Sequence, residues 1–218
     1  MIVNGTNGQD TIHVSGDGLG AIGNDIPNTT NGSDQIYGNG DTDYIQGGGG
    51  ADLIDGGAGI DTAYYYSSSA GVTVDLSTGI GKGGDAEGDV LVNIERLGGS
   101  HYNDTLTGDA NSNYLRGDDG NDVIYGGGGD DYLLGDPGND VLVGGAGADT
   151  LNGSTGIDTA DYSRSGAAIS IDSNGIGHGG DADLDTLVSI ENIVGSIYAD
   201  VISGSSDANL IDGGAGGD

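Results

Sequence analysis

The chain has no cysteine, phenylalanine or tryptophan, and it has only 2 prolines. Without cysteine it has neither disulfide bonds nor thiolate metal sites, so it must be stabilised by another device. Without Phe and Trp it cannot build a core of ordinary aromatic and aliphatic density. Because proline is scarce and glycine does not fall strictly every third residue, a collagen-like helix is excluded.

Positive charge is also scarce, with 4 Lys and Arg residues against 35 Asp and Glu and a net charge of −31. This balance argues against nucleic acid and acidic lipid as partners. No hydrophobic run is long enough to span a membrane. The N-terminal stretch MIVNGTNGQD shows neither the basic nor the apolar region of a secretory signal.

What the chain does contain is glycine, at 49 residues, and aspartate; glutamate occurs only at 87, 95 and 191. Aspartate suits turns, because its short carboxylate reaches local backbone groups and the metal sites that turns create. A composition so acidic and so poor in apolar residues normally predicts disorder. We therefore expect order only where something cancels the charge.

A nine-residue period organises the sequence, and it runs without a slip from Gly99 to Asp161. Such a fixed period predicts a repeat architecture. The eighth place is aliphatic, with Leu106, Leu115, Ile124, Leu133, Leu142, Leu151 and Ala160. The sixth place holds Asp104, Asn113, Asp122, Asp131, Asp140, Asp149 and Asp158, and in an earlier block it holds Asp34, Asp43, Asp52 and Asp61.

Two similar inserts interrupt the period, and together with the repeats they form a larger tandem unit of about 97 residues. The stop inside a repeat suggests a fragment of a longer protein. We predict a first repeat with an irregular lead-in (1–28), block 1 (29–64), insert 1 (65–98), block 2 (99–161), insert 2 (162–194) and the start of a truncated block 3 (195–218).

Each nonapeptide divides into a six-residue Gly-rich turn and a three-residue strand whose middle residue faces inward. Two turns and two strands close one coil of eighteen residues. The predicted fold is therefore all-β: a right-handed parallel β-roll with two short parallel sheets, interrupted by the two inserts. We expect Tyr65 and Tyr162 to cap the roll where Ala63 and Ala160 leave its interior thin.

Stacked coils place alternate sixth-place residues about 4.8 Å apart along one edge. Asp104, Asp122, Asp140 and Asp158 then form one ladder, and Asn113, Asp131 and Asp149 form the other. Two bare carboxylates at that distance repel by roughly 3 to 4 kcal/mol at an effective dielectric near 20. A hard divalent cation between the two carboxylates turns this repulsion into attraction, and Ca²⁺ prefers such an all-oxygen shell. Zn²⁺ would need repeated His or Cys, which the chain lacks.

The units GGGGDDYLL, GDPGNDVLV and GGAGADTLN resemble the repeats-in-toxin, or haemolysin-type, calcium-binding nonapeptide GGxGxDxUx. The resemblance implies a β-roll, export by type I secretion through the parent protein, and folding on extracellular Ca²⁺, with roughly eight ions. It also implies carbonyl ligands beside the Asp residues. In block 1 these are Gly47, Gly48, Gly50, Gly56, Gly57 and Gly59. In block 2 they are Gly117, Gly120, Gly126, Gly127, Gly129, Gly135, Gly138, Gly144, Gly145, Gly147, Gly153 and Gly156. Asp200 and Asp218 extend the Asp ligands into block 3.

The sequence departs from this pattern at Asn113 and Asn209, where a neutral ligand weakens the site, and at Tyr102 and Tyr198, which stand at place 4. The runs 85–89 and 181–185 resemble the start of an EF-hand loop. They lack its glycine and its final glutamate, so a solvated acidic turn is favoured over a further metal site. The glycines of GIGKGG and GIGHGG are interpreted as turn residues.

We find no catalytic motif in the sequence and interpret the three histidines as surface residues. The leading hypothesis is a non-enzymatic calcium-binding module of a secreted, extracellular or cell-surface protein. One alternative is the secretion and folding tail of an extracellular protease, lipase or polysaccharide-modifying enzyme, with catalysis outside these residues. Another is a surface-layer or adhesion spacer. The oligomeric state is left open.

Overall fold

The structure is a computed structural model that describes residues 2–6, 8, 10–14, 24–204 and 209–217. Residues 15–23 of the predicted lead-in and the predicted ligand Asp218 lie outside these residues. The chain divides into two compact units, 1–106 and 107–218. No α-helix occurs in the described ranges, and the secondary structure there consists of short strands and two single 3₁₀ turns.

The strands of unit 1 are β1 Ile2–Asn4, β2 Asp10–Val14, β3 Asn24–Thr29, β4 Gln35–Tyr37, β5 Tyr44–Ile45, β6 Leu53–Asp55, β7 Thr62–Tyr64, β8 Thr73–Asp75, β9 Ile80–Lys82, β10 Val90–Val92 and β11 Arg96–Gly98. One sheet has the order β1-β4-β6-β10-β9-β8, and the other has the order β11-β7-β5-β2-β3. All pairs are parallel except β8 with β9 and β9 with β10. A 3₁₀ turn, Gly84–Ala86, precedes β10.

Strand β12 Thr105–Thr107 lies at the boundary of the units. The strands of unit 2 are β13 Tyr114–Arg116, β14 Val123–Gly128, β15 Tyr132–Leu134, β16 Val141–Ala146, β17 Thr150–Asn152, β18 Thr159–Asp161, β19 Ser170–Ile171, β20 Gly177–His178, β21 Thr186–Val188, β22 Asn192–Val194, β23 Val201–Ile202 and β24 Leu210–Asp212. They form two parallel sheets, β14-β16-β18-β22-β24 and β13-β15-β17-β21, and a small mixed sheet, β20-β19-β23. The second 3₁₀ turn is Gly180–Ala182.

The strand register confirms the parallel β-roll predicted from the sequence. Val123 pairs with Val141, and Tyr132 pairs with Thr150, so one coil takes eighteen residues. The eighth-place residues of both repeat blocks are buried at 0 to 1% exposure and form the core. Each buried Leu or Ile contributes roughly 1.5 to 3 kcal/mol. Each unit thus has a column of single aliphatic side chains at its core, which explains how it folds without Phe or Trp.

The inserts are excursions from a coil that afterwards resumes in register. In insert 1, Val90 pairs with Leu53 and Arg96 pairs with Thr62. In insert 2, Thr186 pairs with Thr150 in the same manner. Tyr65 and Tyr162, which the sequence predicts to be caps, are both 2% exposed. In the described part of the chain, no helix has the length and apolar character needed to cross a membrane.

Candidate metal centre

The Gly-rich part of a typical nonapeptide is a turn with a left-handed residue at place 2. In block 1 these residues are Asn39 (φ 78°), Gly48 (φ 83°) and Gly57 (φ 98°). In block 2 they are Asp118, Gly127, Asp136, Gly145 and Ser154, with φ between 66° and 106°. This conformation costs an L-residue roughly 1 to 2 kcal/mol and glycine very little. Glycine at place 2 therefore allows the left-handed backbone conformation that the turn requires.

Hydrogen bonds join the place-6 residues of successive coils into ladders. The N–H of Asp122 donates to Asp140 Oδ1 at 2.8 Å, and the N–H of Asp140 donates to Asp158 Oδ1 at 2.9 Å. The same bond joins Asn113 to Asp131, Asp131 to Asp149, Asp10 to Asp43, Asp34 to Asp52 and Asp43 to Asp61. One oxygen of each accepting carboxylate is thereby fixed by the backbone of the preceding coil.

The second oxygen, Oδ2, of seven ladder carboxylates is buried and has no hydrogen-bond partner among the described residues. These carboxylates belong to Asp43, Asp52, Asp61, Asp131, Asp140, Asp149 and Asp158. None of the seven residues is more than 3% exposed. A buried carboxylate oxygen without a partner is costly, so each of these positions calls for a cation or a proton. We call the turns that carry these seven residues the open turns.

In five other turns, the place-6 side chain accepts a hydrogen bond from the N–H at place 2 of its own turn. The donor and acceptor pairs are Thr6 and Asp10, Thr30 and Asp34, Ser100 and Asp104, Asp109 and Asn113, and Ser196 and Asp200. In the Ser196 turn the hydroxyl also donates to Asp200 Oδ1 at 2.8 Å. We call these the closed turns, because the oxygen that is unpartnered in an open turn is here satisfied by the protein.

Local side-chain chemistry explains why these turns close. The hydroxyl of Ser100 accepts the N–H of Tyr102 at 3.1 Å, and the hydroxyl of Ser196 accepts the N–H of Tyr198 at 3.0 Å. Such a bond holds place 2 out of the left-handed region and leaves its N–H aimed at the carboxylate. None of the five place-2 residues, all in described ranges, has a positive φ.

Place 1 of every open turn is glycine because oxygens crowd its α-carbon. A Cβ on Gly126 would overlap Asp131 Oδ2 and the Gly144 carbonyl of the next coil. A Cβ on Gly135 would overlap Asp140 Oδ2 and lie 3.0 Å from the Gly153 carbonyl oxygen. Carboxylate and main-chain oxygens from two coils therefore converge beside place 1 in these two turns, and they do so beside Gly38, Gly56 and Gly153 as well.

The open turns also carry carboxylates that hold protons tightly. Burial, with a smaller contribution from neighbouring carboxylates, raises the pKa of Asp52 and Asp131 to about 7 against the opposing backbone hydrogen bonds. Burial likewise raises the pKa of Asp43, Asp140 and Asp149 to about 6. A cation that neutralises these groups removes the electrostatic cause of the shift.

The donor set fits Ca²⁺. No three Asp, Glu, His or Cys side chains of the described residues form a metal-binding cluster. Backbone carbonyls must therefore supply the rest of any shell. Carboxylate and carbonyl oxygens without nitrogen or sulfur suit Ca²⁺, which takes six to eight oxygen ligands, whereas Zn²⁺ prefers His and Cys.

The inserts supply ladder residues that the nine-residue spacing did not reveal. The N–H of Asp52 donates to Asp89 Oδ1, and the N–H of Asp149 donates to Asp185 Oδ1, both at 2.8 Å. On the other edge, Glu95 and Glu191 accept from Asp61 and Asp158. The sequence signal that could have found them is their recurrence at matching positions of both inserts.

The structure thus divides the predicted carboxylate ligands. Seven lie in open turns, and Asp122 lies in the same ladder as Asp140. Asp34, Asp104 and Asp200 lie in closed turns. Both carboxylate oxygens of Asp104 and Asp200 accept hydrogen bonds from the protein, and Asp34 Oδ2 accepts from Thr30. The predicted glycine ligands lie in the open turns and in the turn of Asp122.

Comparison with protein families gives a match for the repeats. The family model described as RTX calcium-binding nonapeptide repeat matches four segments, residues 28–63, 99–133, 125–160 and 189–218, which together cover more than half of the chain. All seven open turns fall inside these segments, whereas Asp89, Glu95 and Asp185 fall outside them. No curated protein matches the chain.

Proposed function

Because the chain belongs to the RTX calcium-binding nonapeptide repeat family, we propose that it is a calcium-binding β-roll module that folds when it binds Ca²⁺. The observation that carries this proposal is the set of seven buried carboxylate oxygens without a partner in the described residues. Without a counter-charge, that arrangement opposes folding.

We place the ions at the open turns. The residues that would hold them are the open-turn carboxylates, together with the main-chain carbonyls that converge beside place 1. Bound Ca²⁺ supplies the positive charge that these buried groups lack. The closed turns are complete without an ion, because the place-2 N–H occupies the oxygen that an ion would take.

The energetic scale is sufficient for a folding switch. At a free Ca²⁺ concentration ten times Kd, each site contributes roughly 1.4 kcal/mol to stability. Seven such sites contribute roughly 10 kcal/mol, which is comparable to the whole stability of an ordinary domain. The chain therefore folds where Ca²⁺ is in the millimolar range, as expected outside the cell, and stays unfolded where Ca²⁺ is scarce.

The cellular context follows from that switch. We propose that the module belongs to a secreted protein that leaves the cell unfolded through a type I machinery and folds outside. The RTX repeat is a structural calcium-binding module, and we assign no reaction to this chain. The absence of cysteine agrees with stabilisation by ions instead of disulfides.

Circular dichroism of the whole chain at pH 7 tests the proposal. In chelator the far-UV spectrum should be that of an unfolded chain, and addition of Ca²⁺ should produce a cooperative change to β-structure. An equal concentration of Mg²⁺ serves as the control and should have little effect, because Mg²⁺ demands a smaller octahedral shell. A full β-spectrum in chelator would contradict the proposal.

A further inference from the structure

Each insert replaces one six-residue turn of the roll by a turn of three residues. In insert 1, only residues 93–95 separate β10 from β11. In insert 2, only residues 189–191 separate β21 from β22. The coil nevertheless stays in register, with Arg96 opposite Thr62 and Asn192 opposite Thr159. A shortened turn therefore stands where the ladder expects a nonapeptide aspartate.

A glutamate takes that position in both copies. The N–H of Asp61 donates to Glu95 Oε2 at 2.9 Å, and the N–H of Asp158 donates to Glu191 Oε2 at 2.8 Å. This is the bond that an aspartate Oδ1 accepts elsewhere in the ladders. The additional methylene of glutamate compensates for the shorter backbone.

The two aspartates that face these glutamates are open. Asp61 and Asp158 are each 0% exposed, and their Oδ2 atoms have no partner in the described part of the chain. A main-chain oxygen is also in place. The carbonyls of Asn93 and Ser189 approach Gly56 and Gly153, where the carbonyl of a place-1 glycine stands in other open turns.

The opposite edge of the same coil differs. Asp89 and Asp185 accept hydrogen bonds on Oδ2 from the hydroxyls of Tyr65 (3.0 Å) and Tyr162 (2.9 Å). Their Oδ1 atoms accept the ladder N–H, so both oxygens are satisfied within the protein. The tyrosine hydroxyl therefore donates to the carboxylate oxygen that has no partner in Asp61 and Asp158.

We propose that Asp61 with Glu95, and Asp158 with Glu191, form two cation sites of mixed origin, in which one carboxylate comes from a nonapeptide and the other from an insert. The ligand class is a hard divalent cation, and Ca²⁺ is the probe. The inference rests on the function proposed above. It adds that the inserts extend the ion ladder at their glutamates, whereas Asp89 and Asp185 are not ligands.

Calorimetric titration of the whole chain with Ca²⁺ at pH 7 counts the ions. The variants are Glu95→Gln, Glu191→Gln and the double variant, since a glutamine Oε1 still accepts the ladder N–H. The control is Glu87→Gln, which removes the same charge from an exposed residue of insert 1. We expect each single variant to lose one ion, or to bind one ion at least tenfold more weakly, and the double variant to lose two.

The outcomes separate the two proposals. Wild-type stoichiometry and affinity in both single variants would overturn the mixed sites and leave calcium-dependent folding intact. An equal loss in Glu87→Gln would also overturn them, because it would show a general charge effect. No Ca²⁺ binding by the wild-type chain would overturn the proposed function itself. The single variants each keep one insert intact, so the test stands even if the double variant does not fold.

Discussion

The closed and open turns use one nonapeptide pattern in two ways. In the closed turn of Asp104, the carboxylate is satisfied by the Ser100 N–H at 2.5 Å and by the Ser100 hydroxyl at 2.9 Å. In the open turn of Asp140, the equivalent oxygen is buried without a partner in the described residues. The difference lies in the backbone at place 2, which is left-handed only in the open turn.

The positions of the two classes follow the order of the chain. Asp34, Asp104 and Asp200 each stand in the first turn of a predicted block, and all three turns are closed. The open turns come later in the blocks. Block 1 thus begins with one closed turn and block 2 with two, and the open turns of both blocks follow them.

The largest effect expected of the open turns is a pH response in the absence of Ca²⁺. In the folded chain, the pKa values of the open-turn carboxylates Asp43, Asp52, Asp131 and Asp140 are about 6 to 7, above their ordinary value of 3.8. The folded chain therefore binds more protons than the unfolded chain, and this stabilisation is complete below 3.8 and lost as pH rises through 6 to 7. In chelator, circular dichroism should show β-structure gained as the pH falls from 7 to 4. No gain over this range would contradict the assignment.

A methyl group at place 1 should have the next largest effect. Gly135→Ala puts a Cβ against Asp140 Oδ2 and the Gly153 carbonyl, which should cost about 3 kcal/mol and disturb an ion site. The matched control is Gly166→Ala, since a Cβ there meets nothing within 4 Å. Thermal unfolding in saturating Ca²⁺ compares the two variants, and equal stabilities would argue against the crowded site.

Removing one carboxylate charge should distinguish the classes by their calcium dependence. Asp140→Asn should raise the Ca²⁺ midpoint of folding and cost about 1.4 kcal/mol for a tenfold loss of affinity at one site. Asp104→Asn should cost about 1 to 3 kcal/mol by disturbing its hydrogen bonds, with no change in the number of ions bound. Stoichiometry from calorimetric titration checks this, and loss of an ion in Asp104→Asn would contradict the account.

The smallest effect concerns place 2 itself. Ser154 is left-handed (φ 72°), so Ser154→Gly should stabilise the chain by about 1 kcal/mol. Ser196 belongs to a closed turn and donates to Asp200 at 2.8 Å, so Ser196→Gly should destabilise it by about 1 kcal/mol. The same substitution thus has opposite signs, which unfolding in Ca²⁺ can measure. Equal signs would mean that place 2 does not define the classes.

The repeating parts of this structure could be predicted from the sequence because two nine-residue repeats make one complete coil. A nine-residue period requires an eighteen-residue coil, an inward eighth place and stacked sixth-place carboxylates, as Ile124, Leu142 and the Asp122 ladder show. The ladder residues of the inserts were hidden because their turns differ in length. Glu95 occupies a ladder position from a turn of three residues, so a search for a nine-residue period does not find it.

The division into open and closed turns was also beyond the sequence pattern. Ser154 and Ser196 both stand at place 2, yet the first is left-handed and the second accepts the place-4 N–H of Tyr198. The residue type at place 2 therefore does not determine whether a turn is open or closed, because a local side-chain hydrogen bond can select a different backbone conformation. Tyr102 and Tyr198, which depart from the nonapeptide pattern at place 4, lie in two of the closed turns, but the pattern alone does not show the hydrogen bond that closes them.

We expect cations to occupy the open turns and not the closed ones. Crystals of the whole chain grown in Ca²⁺, with an anomalous difference map that locates calcium, test it most directly. Calcium peaks should lie beside the open-turn carboxylates such as Asp131, Asp140 and Asp149, and none should lie beside Asp34, Asp104 or Asp200. Peaks of equal height in both classes, or empty open turns in a folded chain, would contradict it.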